Sequence, residues 1–171
     1  MPATRSLLRQ LAVVVLMLSL AGCGFQLRGS GGLPESMAVT YIQGVKPWSS
    51  IYGDFRDALE DRGASVTGQR DEATAVLKIM ENESRMDVLT VDVGGKVQEL
   101  QLVHMVRFRL TAKDQQVLLD EQTVTARRDF VFNKNDILAK ERESRFIRRE
   151  LQRDVVNLAM LRFMAAGRKA P

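Results

Sequence analysis

The amino-acid sequence predicts an α+β layer: two helices packed on one face of a mostly antiparallel sheet of four or five strands. Three observations lead there. Alternating apolar and polar residues recur through the middle of the chain, most clearly in VQELQLVHMVRFRL at 97–110. Turn signals at Gly94-Gly95 and Lys113-Asp114-Gln115-Gln116 separate these runs, as expected for antiparallel neighbours. Apolar residues at helical spacing mark one segment before the strands and a longer one after them. The order is strand, helix, three or four strands, helix.

The elements follow from the N-terminus. Residues 1–22 read as a signal peptide: MPATRSLLRQ carries Arg5 and Arg9, LAVVVLMLSL is apolar, and small residues follow. The apolar run is too short to span a bilayer, which needs about 20 residues. Leu20-Ala21-Gly22-Cys23 looks like a bacterial lipobox, in which the cysteine is acylated and becomes the new N-terminus. Cys23 is the one cysteine in the chain, so no intrachain disulfide can form. Position +2 is Gly24 rather than aspartate, which favours the outer membrane. Three acyl chains exceed the two signals that stable anchoring requires.

Residues 23–36 are a Gly- and Ser-rich tether, 37–166 a single α+β domain, and 167–171 a C-terminal tail. AVTYIQG suits a short strand. Ser49 or Ser50 caps a helix from about Ile51 to Arg62, stopped by Gly63, with Ile51, Phe55, Ala58 and Leu59 inward. Ala73, Ala75, Leu77 and Ile79 alternate as a strand, and MDVLTVDV is a further strand-like run after Asn82–Arg85. In 97–110, Leu100, Leu102, His104, Val106, Phe108 and Leu110 share one face. Val124, Ala126, Phe130 and Phe132 share a face of its partner. The last helix, about 136–166, repeats Ile147, Leu151, Val155, Leu158 and Leu161 or Arg162 at helical spacing.

Charge excludes little. Twenty-five basic residues face 21 acidic ones, and loss of Arg5 and Arg9 lowers the net charge from +4 to about +2. The basic run RESRFIRRELQR is interrupted by Glu141, Glu143, Glu150 and Asp154 along the same helix, and export argues against nucleic acid. Those arginines meet either a partner or water. His104 lies on an apolar strand face with no second histidine and reads as a core residue. Glu81 and Glu83 share a strand face but lack the surroundings that would split their pKa values, so they read as a solvated strand end. No Ser/His/Asp order, HExxH spacing or phosphate-cradling glycine loop occurs, so neither catalysis, a metal nor a cofactor is expected.

Three stretches resemble the LptE family of lipoproteins: CGFQLRG at 23–29 with Leu33-Pro34, GGKVQELQL at 94–102, and RRDFVFNKNDILAKERESRFIRRELQRDVV at 127–156. The resemblance implies two helices on a four-stranded sheet. It also implies a plug inside the outer-membrane barrel LptD that assists the barrel's assembly and binds lipopolysaccharide in transit to the cell surface. A family lysine near the start of the last helix matches Lys140. The family's hairpin-tip arginine has no counterpart near Val93, where Lys96 is the nearest cation. Lipopolysaccharide carries phosphates, so cations beside an apolar strip are the chemistry required. Lys96, Arg127, Arg128, Lys134 and Lys140 are the candidates, with Arg127 and Arg128 sent to opposite faces by strand alternation. The alternative is a free-standing auxiliary lipoprotein of an envelope lipid transporter, acting without a barrel.

Overall fold

The computed structural model describes residues 32–131 and 137–168, and for 137–140 the backbone alone. The expected signal peptide, Cys23 and most of the tether lie outside the described residues, as does Lys134. Strand β1 (Val39–Gln43) leads to helix α1 (Ser50–Glu60) and a short strand β2 (Ser65–Thr67). Three long strands follow, β3 (Ala75–Val91), β4 (Val97–Ala112) and β5 (Val117–Val131), and then helix α2 (Ile137–Gly167). The sheet order is β2-β1-β3-β4-β5. The pairings β1–β2 and β1–β3 are parallel and short, whereas β3–β4 and β4–β5 are antiparallel and long. The architecture is therefore the expected α+β layer with five strands.

Two details differ from the sequence reading. The runs at 73–79 and 86–93 are one strand, β3, and the additional strand is β2. The cause is a β-bulge between Ile79 and Glu81 that inserts Met80. Before it, Ala75, Leu77 and Ile79 face the helices; after it, Asn82, Ser84, Met86 and Val88 pair with the inward residues of β4. A change of phase in the alternation looks in the sequence like a break. The second difference is in α2, whose buried residues are Leu151, Val155, Val156, Ala159, Met160 and Phe163, while Leu158 and Leu161 are exposed. Steps of four from Leu151 reach Ala159 and Phe163, so small Ala159 keeps the inward face and the larger leucines lie off it.

Both helices bury their apolar stripes against the same sheet face. Ile51, Phe55 and Leu59 of α1 join Val155, Val156, Ala159, Met160 and Phe163 of α2 over Leu77, Ile79, Val106, Phe108 and Leu110. Phe108 and Phe163 meet edge to face, with ring centroids 5.2 Å apart. Ser49 occupies the N-cap position of α1, but its hydroxyl donates to the Lys46 carbonyl at 2.6 Å and caps nothing. Between the helices, Gln152 Nε2 donates to Asp54 Oδ2 at 2.5 Å and Ser50 Oγ donates to Gln152 Oε1 at 3.1 Å. A second, smaller cluster of Leu100, Leu102, Phe130 and Leu151 lies further along β4, with Ile147 and Val97 packed against it. Among the described residues no helix is long and apolar enough to cross a membrane.

Candidate functional site

The β3–β4 hairpin extends past the main core. The start of β3 is buried, but almost every residue from Asn82 to Val91 is exposed. Apolar side chains nevertheless continue there: Val88 and Val91 are more than half exposed, Val93 fully so, and Met86 and Leu89 are exposed with them, Met86 and Val88 on the helix-bearing face opposite Leu102 and Leu100. An apolar strip of this kind, rimmed by polar residues, marks an interaction surface. Its turn is well braced. Asp92 Oδ1 accepts from the Gly94 amide at 2.8 Å and the Lys96 amide at 2.9 Å, and Asp92 Oδ2 accepts from Gln98 Nε2 at 3.1 Å. Gly95 takes φ +74°, which favours glycine.

The expected cations are distributed around this strip rather than gathered at one point. Lys96 sits in the turn itself, exposed, with its backbone held by Asp92. Arg128 pairs in register with Leu102, which in turn pairs with Met86, so it lies on the helix-bearing face. Six residues of β4 separate that row from Lys96, roughly 20 Å along the strand. Arg128 Nη2 approaches Asp154 Oδ2 at 3.6 Å, both about half exposed. Such a pair contributes about 1 kcal/mol or less and is easily given up to a stronger anion. Arg127 points to the opposite face, beside Val103, as alternation requires. Val103, on the face opposite α1 and α2, is buried and stands in register between Arg85 and Arg127. Lys140 falls in the first turns of α2, its side chain outside the described residues. Because Ile147 and Leu151 pack beside Leu100, Phe130 and Val97, the N-terminal half of α2 runs along the hairpin's side of the sheet.

One further arginine of the basic run is placed that the sequence left to a partner or to water. Arg148 Nη1 donates to Ser84 Oγ at 3.0 Å, bridging α2 to the exposed part of β3. Its signal was positional: it follows Ile147 and precedes Leu151 by one turn, at the border of the buried stripe. His104 is buried as expected, with Nε2 2.8 Å from Asn82 Oδ1. Burial chiefly, and then Arg148, hold its pKa below the ordinary value, against a smaller opposite pull from Asp54. Glu81 does not lie at a strand end. It stands in mid-β3 with Arg107 Nε at 3.1 Å, and Arg107 Nη1 also reaches Glu121 Oε1 at 2.9 Å.

The sequence profile of the family described as "LptE: Lipopolysaccharide-assembly" matches residues 36–163, from the turn before β1 almost to the end of α2. The chain belongs to the LptE family. It is 29% identical over 147 residues to the LPS-assembly lipoprotein LptE of Photorhabdus laumondii, covering 86% of this chain and 78% of that relative. It is 26% identical over 150 residues to the protein of the same name from Pectobacterium atrosepticum, covering 83% and 77%. The solution structure of uncharacterized lipoprotein B from Nitrosomonas europaea superposes with TM-score 0.66 at 25% identity, covering 80% of this chain and 87% of that one. Rare lipoprotein B from Shewanella oneidensis shares the fold, with TM-score 0.63 at 18% identity over 75% of this chain and 94% of that one. The LptE match takes in both helices and the whole projecting hairpin, so the apolar strip belongs to the family domain.

Proposed function

We propose that this chain is a lipopolysaccharide-assembly lipoprotein, anchored through Cys23 in the outer membrane, whose α+β domain plugs an LptD-type barrel and assists its assembly. Lipopolysaccharide binds at the hairpin end in this reading. The observation that carries the function is the LptE profile match over 36–163, supported by two relatives named LPS-assembly lipoprotein. The physical support for the site is the exposed apolar strip of β3 with Lys96 at its turn and Arg128 in a weak surface pair. Acyl chains lie against the strip and lipid phosphates against the cations. Lys140 joins from the start of α2, Lys134 of the segment before it remains a candidate, and Arg127 serves the opposite face.

Affinity purification from detergent-solubilised membranes tests the plug. A barrel protein in stoichiometric amount is expected; recovery of the chain alone would favour the free-standing lipoprotein and end the plug reading. The site has its own measurement. Lys140→Glu in the full-length protein should weaken lipopolysaccharide binding about tenfold, the worth of one charge-assisted contact, with an almost unchanged thermal midpoint. Equal binding removes Lys140 from the site.

A further inference from the structure

A pocket of about 380 Å³ opens on the sheet face opposite α1 and α2, at the end away from the β3–β4 turn. Gln43, Arg70, Lys78, Arg109, Thr111 and Gln115 line it, with Val76 as the one apolar wall. Thirteen residues of β3 separate Lys78 from Val91, roughly 40 Å. The pocket is thus distinct from the apolar strip and does not depend on the function proposed above.

Its charge arrangement is unfavourable for the protein alone. Lys78 and Arg109 are directly paired in the β3–β4 register, and like charges placed opposite one another destabilise a sheet. Gln43 of β1 completes the row on the other side of Lys78. The neighbouring row shows how the same sheet handles an arginine when neutrality is the goal: Arg107 stands between Glu81 and Glu121, at 3.1 and 2.9 Å. In the pocket row Lys78 stands beside Arg109, and Arg70 adds a third cation from the turn before β3; among the described residues the carboxylate within ion-pair range of any of the three is Asp120, beside Arg109. Arg109 Nε, like Arg107 Nε, is shielded from water without a hydrogen bond, but its carboxylate neighbour Asp120 Oδ1 stands 3.8 Å away, whereas Glu81 Oε2 stands 3.1 Å from Arg107 Nε. Among the described residues neither Arg70 nor Lys78 has an ion-pair partner.

The remaining lining groups add a second requirement. Gln43, Gln115 and Thr111 both donate and accept hydrogen bonds, which suits hydroxyl groups better than a bare anion. Gln115 holds φ +70°, the one non-glycine residue at positive φ among the described residues. Glycine would take that conformation at no steric cost, so the strain is the cost of keeping an amide at the pocket's rim. The volume lies at the lower end of small-molecule sites. The geometry points to a binding site for a phosphorylated saccharide. Lys78, Arg70 and Arg109 take the phosphate, and Gln43, Gln115 and Thr111 take the sugar hydroxyls.

Calorimetric titration of the full-length protein in detergent tests this with glucose 1-phosphate, inorganic phosphate and glucose. Glucose 1-phosphate should bind saturably at one site, with Kd of about 1 mM or tighter, and glucose should not. Lys78→Gln should weaken it about tenfold while the thermal midpoint stays level or rises, because a like-charge pair is relieved. Gln115→Gly should raise the midpoint, cost about fivefold in glucose 1-phosphate affinity, and leave phosphate binding as it was. Absence of saturable binding, or unchanged affinity in Lys78→Gln, overturns the site. Inorganic phosphate binding as tightly as glucose 1-phosphate overturns the saccharide half and identifies free phosphate as the ligand.

Discussion

The His104 imidazole faces the helices from the middle of β4, with Asn82 beside it on β3 and Ala126 on β5. Arg148 and Asp54 act on it from the two helices, and burial outweighs both. Its pKa in the fold is below 6.5, so under slightly acidic conditions the unfolded chain binds a proton that the folded chain resists. The stability linked to the neutral ring is complete above the unfolded pKa of about 6.5 and declines as pH falls through it. His104→Gln removes that titration. Thermal melts from about pH 7.5 to pH 5 should show a shallower loss for the variant than for the parent; parallel curves would refute the assignment. That His104 belongs to the core was legible in its place on an alternating face. Its partners were not, because Asn82 reaches that face only through the bulge at Met80, and cross-strand register is invisible in a single sequence. The same limit hid the Lys78–Arg109 pair, since each residue alone looks like an ordinary solvated strand cation.

Among the elements, β4 and α1 were readable because an unbroken period carries each of them. All six inward residues of β4 from Leu100 to Leu110 are buried. In α1, Ile51, Phe55 and Leu59 are buried as their spacing requires, but Asp54 is drawn partly inward by Gln152. The approach of β1 to β3 rests on Gly44, at φ +96°, where a Cβ would collide with the Ile79 carbonyl oxygen. Gly44→Ala combines that collision with an unfavourable backbone and should cost about 2 kcal/mol or more in denaturant unfolding. A loss under half of that would mean the strands can separate there without harm. The hairpin turn responds differently. Asp92→Ala frees the Gly94 and Lys96 amides, so their hydrogen exchange should accelerate, while the global midpoint moves little because the turn lies outside both apolar clusters. A large drop in global stability would show that the projecting hairpin supports the core after all.

For the molecule as a whole, α2 is the helix that contributes to both apolar clusters, as β4 and β5 do from the sheet. Leu151 belongs to the smaller cluster near the hairpin, and Val155 to Phe163 belong to the main one. A chain ending at residue 150 keeps every strand but loses a wall of each cluster. It should show no cooperative thermal transition; a sharp melt would mean the sheet and α1 suffice. The order in which the residues are joined then acquires a meaning. Because Met160 and Phe163 come last in chain order among the described core residues, the domain has no finished interior until α2 has emerged. Such a domain stays open and threadable while its strands emerge, and closes when α2 arrives.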